Sequence, residues 1–80
     1  MSEITLDLAA RVCRAVHEAY ESVQPNRWPT ADRVRDAGGW ETTQAARVAL
    51  RGAREAGYVG AEGATYYLTS AGVRLLGVAS

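Results

Sequence analysis

A mainly helical α+β domain, with three helices, a two-stranded hairpin and a short C-terminal helix, is the fold class this 80-residue sequence predicts. Three observations predict it. Apolar residues recur at the 3.6-residue helical period from Thr5 to Val23, and again from Trp40 towards Val59. After Gly57 the period changes to two, through Tyr58-Val59 and then Ala64 to Leu68, which is rich in aromatic and β-branched residues. Between the two long helical stretches, Pro25, Pro29 and Gly38-Gly39 leave room for only one short element. Residues 1–80 therefore form a single domain, and a chain of this size buries only about 60% of its unfolded surface, so the core is small.

In the first helix, Leu8, Ala9, Val12, Val16, Ala19, Tyr20 and Val23 make an apolar stripe, with Asp7, Arg11, Arg14, Glu18 and Glu21 opposite. Asp7 complements the positive end of the helix dipole, and Pro25 ends the helix because it lacks an amide proton. Gln24 to Pro29 is a loop. Thr30 is placed to cap a second, short helix, Ala31 to Ala37, with Ala31, Val34 and Ala37 facing inward and Gly38-Gly39 breaking the chain. Trp40 plugs the following turn into the core, since it has more apolar area than its Ala-rich neighbours. Trp28 reads either as a lid over the core or as an exposed aromatic anchor.

The third helix follows, with Thr42 and Thr43 as N-cap candidates and Gly57 as its stop. Ala46, Ala49, Leu50 and Ala53 fall on one side, whereas Gln44, Arg47, Val48, Arg51 and Arg54 project elsewhere. In the hairpin, a Glu62-Gly63 loop places Val59, Tyr66 and Leu68 on the core face and leaves Thr65 and Tyr67 more exposed. Thr69 or Ser70 caps the last helix, which carries Val73, Leu75 and Leu76 and is expected to end at Gly77.

Nine basic and nine acidic residues cancel, so the global field that draws many proteins to nucleic acid is missing and any such affinity must be local. Every basic residue is Arg; codon bias of a GC-rich genome is one account, and bidentate pairing with phosphate or guanine is the other. The single cysteine excludes an internal disulfide and fits a reducing compartment. No apolar run approaches the ~20 residues of a membrane span, and no basic-then-apolar leader is present, so a cytoplasmic protein without membrane contact is expected.

Little here suggests catalysis. His17 follows Cys13 by four residues, a spacing that can put two ligands on one helix, but no second Cys or His completes a tetrahedral metal site. Cys13 reads as a packed thiol at the edge of the stripe and His17 as an exposed polar residue. Gly38-Gly39 lacks the lysine and spacing of a phosphate-binding loop. Asp32 and Asp36 share a helix face, an arrangement that on a surface helix serves solvation rather than proton transfer. The expectation is a protein that is not an enzyme, with no catalytic residue, metal or cofactor.

Arg47, Arg51 and Arg54 are spaced i, i+4, i+7, a row about two turns long suited to phosphates or guanine edges. The alternative is a solvated face pairing with Glu55 or with acids of the first helix.

The order helix, short helix, tight turn, helix, hairpin resembles that of a winged helix-turn-helix domain. The segment AREAGYV followed by YYLTSAGVRLL resembles the end of the recognition helix, the wing and the next turn in bacterial regulators of the multiple-antibiotic-resistance type, and the likeness covers residues 6–77. Leu50, Ala53, Gly57, Tyr58 and Val59 occupy that family's L-x-x-L-x-x-x-G-[LY]-[IV] positions, and Leu68, Thr69 and Gly72 its LT-x-x-G. The resemblance implies that Thr42, Thr43 and Gln44 begin a recognition helix meeting phosphate or base edges, with Arg47 and Arg51 facing the groove and Arg54 on phosphate. It also implies that Val48 touches a thymine methyl and that Arg33 contacts the backbone. The chain departs from the family at the wing tip, where Glu62 stands in place of a base, and in lacking the additional dimerisation helices of the full regulators.

The reading that follows is a small protein binding double-stranded DNA, a transcriptional regulator or excisionase-like factor of a bacterium or phage. It acts as a homodimer through the first helix and Leu75, Leu76 and Val78, because one small module rarely reaches operator-level affinity. The rival is a winged-helix module with a protein partner, such as a subunit of a larger assembly or a phage-encoded inhibitor of a host nucleoprotein complex.

Overall fold

The computed structural model describes residues 4–22 and 27–79, in the order α1 (Leu6–Ser22), α2 (Ala31–Gly38), α3 (Thr43–Glu55), β1 (Val59–Glu62), β2 (Thr65–Leu68) and α4 (Ser70–Ala79). The expected class, mainly helical α+β with an antiparallel hairpin, is the one observed. The expectations for Val23, Gln24 and Pro25, and for the side chain of Val78, lie outside the described residues.

Helix α1 starts at Thr5, whose hydroxyl accepts from the Leu8 amide at 3.1 Å and whose carbonyl accepts from Ala9 at 2.9 Å. Its buried face carries Ala9, Val12, Cys13, Ala15, Val16 and Ala19. Cys13 is not at the edge of the stripe but fully inside, and burial pushes its thiol up to about 11. The core joins Val12 and Val16 to Val34 of α2, to Leu50 and Ala53 of α3 and to Val59 of β1. Leu50 is its largest fully buried side chain, so much of the packing energy is concentrated there.

The turn between α2 and α3 is built on two glycines with different duties. Gly39 adopts φ 75° as the left-handed cap of α2, its amide donating to the Arg35 carbonyl. Gly38 is still helical and lies beneath the Trp40 indole, where a Cβ would sit 2.0 Å from the ring. The Arg11 guanidinium covers the same indole at 4.3 Å and donates to the Gly38 carbonyl at 2.8 and 3.1 Å. Trp40 is thus half-buried and clamped, packed against the core as its size demands.

Thr30 does not cap α2 with its side chain; its backbone is extended and forms a bridge with Thr65. Beside it the Tyr66 amide donates to the Pro29 carbonyl at 2.9 Å, so β2 is bonded on both edges. The hairpin pairs Val59 with Leu68, Gly60 with Tyr67, Ala61 with Tyr66 and Glu62 with Thr65, which makes Gly63-Ala64 the loop instead of Glu62-Gly63. Gly63 at φ 62° accounts for the shift, since it takes the first position of the two-residue loop, where left-handed backbone is needed. The slip amounts to two residues, so every side chain keeps its face: Tyr66 and Leu68 still pack on the core. Tyr67 is half-buried rather than exposed, because its ring lies across Gly60 and 6.3 Å from Trp28. Trp28 in turn stacks on Tyr20 at 4.3 Å and packs against the core, in the manner of a lid.

Thr69 caps α4: its hydroxyl accepts from the Gly72 amide at 3.2 Å and donates to the Gly57 carbonyl at 2.6 Å. Gly77 does not end this helix, which continues to Ala79, as a glycine within a last turn costs only about 1 kcal/mol. Among the described residues no helix is long and apolar enough to cross a membrane.

Candidate nucleic-acid interface

Helix α3 presents the arginines. Thr42, with extended backbone at φ −134° and ψ 157°, is the residue that caps it, and its hydroxyl accepts from the Ala45 amide at 3.1 Å. Ala46, Ala49, Leu50 and Ala53 are buried, which fixes the rotation of the helix about its axis. Gln44, Arg47, Val48, Arg51 and Arg54 are all exposed as a result. From Arg47 to Arg54 the row rises about 10 Å, and a helix about 10–12 Å across fits a major groove about 12 Å wide.

Three exposed carboxylates are engaged elsewhere, whereas Glu55 shares α3 with the row, at i+4 from Arg51. Asp32 and Asp36 pair with Arg35 at 3.7 and 3.1 Å, and Glu21 pairs with His17 at 3.1 Å. Among the described residues no carboxylate, Glu55 included, forms an ion pair with Arg47, Arg51 or Arg54. The row is therefore a local excess of positive charge on a chain of zero net charge.

Thr43 takes a different position from its neighbours. Its hydroxyl accepts from Arg35 Nη1 at 2.7 Å and donates to Asp32 Oδ1 at 2.5 Å, so it is committed to α2 and ties the two helices together. Arg35 was not among the residues that spacing singled out. The signal for it was weak but present: Asp32 and Asp36 flank it at i−3 and i+1. Arg33, by contrast, is exposed on α2 and has no carboxylate partner among the described residues.

No family model, curated protein or solved structure matches this chain. The residues themselves carry what can be said of the site.

Val48 lies beside Arg51 and Gln44 on the exposed side of α3. It forms one lip of an apolar groove of about 460 Å³ whose other walls are Ile4, Leu8, Trp40, Ala45 and Gly52. The hairpin tip carries exposed Glu62 and no basic residue between Val59 and Leu68. Cys13 is buried and His17 is exposed, and among the described residues no group of three His, Cys, Asp or Glu side chains is placed to hold a metal.

Proposed function

We propose that this chain is a small winged helix-turn-helix protein that binds double-stranded DNA, as a transcriptional regulator or excisionase-like factor, with α3 in the major groove. The observation that carries the reading is the row Arg47, Arg51 and Arg54, exposed and without carboxylate partners among the described residues, on a helix held at a fixed angle behind a tight turn. Arg47 and Arg51 face the groove, where a guanidinium can fork onto guanine or pair with phosphate. Arg54 sits on phosphate at the margin, and Gln44 at the first turn meets a base edge or phosphate. Thr42 and Thr43 contribute less through their hydroxyls, which are already bonded, than through the backbone amides of the turn they begin. Val48 touches a thymine methyl and Arg33 a flanking phosphate.

Fluorescence anisotropy of labelled duplex DNA across a salt series tests this. Wild-type protein is expected to bind with affinity that falls steeply between about 50 and 200 mM salt, and Arg47→Ala/Arg51→Ala is expected to lose at least tenfold and to lower the slope of log K against log salt by about 2. Absence of binding at the lowest salt sinks the proposal. Arg35→Ala separates positioning from contact. Leaving Thr43 with only its bond to Asp32 should weaken binding by roughly three- to tenfold with the salt slope unchanged, whereas a phosphate contact would lower the slope by about one.

The acidic hairpin tip and the apolar groove beside Val48 favour a second reading, a module that docks on a protein. Binding to that partner would tolerate salt, and the arginine double variant would leave it intact.

A further inference from the structure

The exposed face of α1 carries a charge order that matches itself when reversed. Asp7, Arg11, Arg14, Glu18 and Glu21 are all exposed and lie at alternating steps of four and three, which keeps them in one straight stripe along the helix. From Arg11 to Glu21 the order is plus, plus, minus, minus. A second copy running antiparallel presents minus, minus, plus, plus, so that Arg11 meets Glu21 and Arg14 meets Glu18, each pairing made twice about a two-fold axis level with Val16.

We propose that a second copy of this chain docks antiparallel along α1, with Arg14 and Glu18 as its central ion pairs. The inner charges are available for this. Arg14 and Glu18 stand four residues apart yet form no ion pair with each other, and cation-before-anion is the weaker order for such a pair within a helix. The outer charges are already engaged within the chain, Arg11 over Trp40 and Glu21 with His17 at 3.1 Å, so the central pairs set the register.

Ion pairs at such a surface fix register and orientation rather than affinity, because each exposed pair contributes little. Apolar area lies beside the stripe. Arg14 and His17 form one wall of a groove of about 440 Å³ whose other wall is Leu68, Val73 and Leu76, and Val73 is 57% exposed at its rim. A copy laid along α1 covers that rim on both sides of the axis. The same surface has no complement for a purely acidic or purely basic partner, since half of its charges would oppose either. The assembly does not depend on α3 meeting DNA, and its test involves no nucleic acid.

Sedimentation equilibrium of the full chain decides it, using Arg14→Glu, Glu18→Arg, the double exchange and an equimolar mixture of the two single variants. Wild type is expected to dimerise. Each single variant places like charges opposite one another at both central pairs and should weaken self-association at least tenfold, on the order of the cost of like-charge juxtaposition. The double exchange restores opposite charges and should dimerise again. The mixture is the sharpest arm: one variant carries two acids and the other two arginines at the central positions, so two chains that fail to pair with themselves should pair with each other. Circular dichroism should show all of them folded, since positions 14 and 18 are exposed. A wild type that stays monomeric at concentrations on the order of 1 mM overturns the proposal. So does a mixture that fails to associate, or a single variant that dimerises as wild type does.

Discussion

Leu50→Ala is expected to remove a third or more of the stability of this domain. Leu50 is the largest side chain in the core with no exposure, and it sits where α3 meets α1, α2 and β1. Truncating a buried leucine costs about 2–5 kcal/mol, made up of lost transfer energy and the cavity left behind. An 80-residue domain has roughly 4–12 kcal/mol in total at typical stability per residue. The neighbours are chiefly alanine and valine, short side chains that reach poorly into a void, so the upper half of the range applies. Urea denaturation followed by circular dichroism should show the midpoint falling by a third or more at an unchanged slope. Leu6→Ala is the control: with Leu6 66% exposed, its stability should stay within about 0.5 kcal/mol of wild type. A Leu50 variant as stable as the Leu6 one would mean that α3 does not pack as described.

Gly72→Ala should also be damaging, for a reason that composition hides. A Cβ on Gly72 would stand 2.2 Å from the Tyr58 carbonyl oxygen and 3.2 Å from Leu68 Cδ2. The obstacle is backbone, so α4 must back away from the start of β1. It would then stretch the Thr69 hydroxyl bonds to Gly57 and Tyr58, at 2.6 and 3.0 Å, that seat the helix. Overpacking of this kind costs about 1–3 kcal/mol. For a domain of this size that lowers the melting temperature by roughly 5–20 °C. Gly77 lies in the same helix with no described residue within 4 Å of its Cβ position, and there alanine should raise stability by about 0.5–1 kcal/mol. Thermal melts of the two variants should therefore move in opposite directions; a common direction would contradict the seating of α4 on Tyr58.

The two glycines also mark where sequence reasoning worked and where it stopped. Periodicity alone separated Ala46, Ala49, Leu50 and Ala53 from the arginines of α3, because a helix has one rotation that buries four apolar residues and only small adjustments to it. The hairpin faces were legible for a similar reason, since a slip of two residues changes the loop but not the alternation. What could not be read were contacts between segments distant along the chain. Thr30 is the N-cap residue its local sequence suggests, yet its side chain makes no cap bond and its backbone bridges to Thr65, 35 positions away. Thr43 looked as good a cap as Thr42 until Arg35 and Asp32 claimed its hydroxyl. Gly77 reads as a stop and Gly72 as part of a motif, but only the position of the Tyr58 carbonyl decides which of them is indispensable.

The bond from Tyr66 to the Pro29 carbonyl has a consequence for how the chain reaches this structure. It joins the strand that follows α3 to the segment that precedes α2, so α2, the turn and α3 are enclosed in a loop of about 37 residues whose ends must meet before β2 is bonded on both edges. Closing such a loop is an entropic cost that local contacts do not carry, so the docking of β2 on Pro29, rather than the two-residue hairpin itself, is expected late in folding and locks the segment that enters α2 against the strands. A chain truncated before β2 would retain helical propensity and lose that lock.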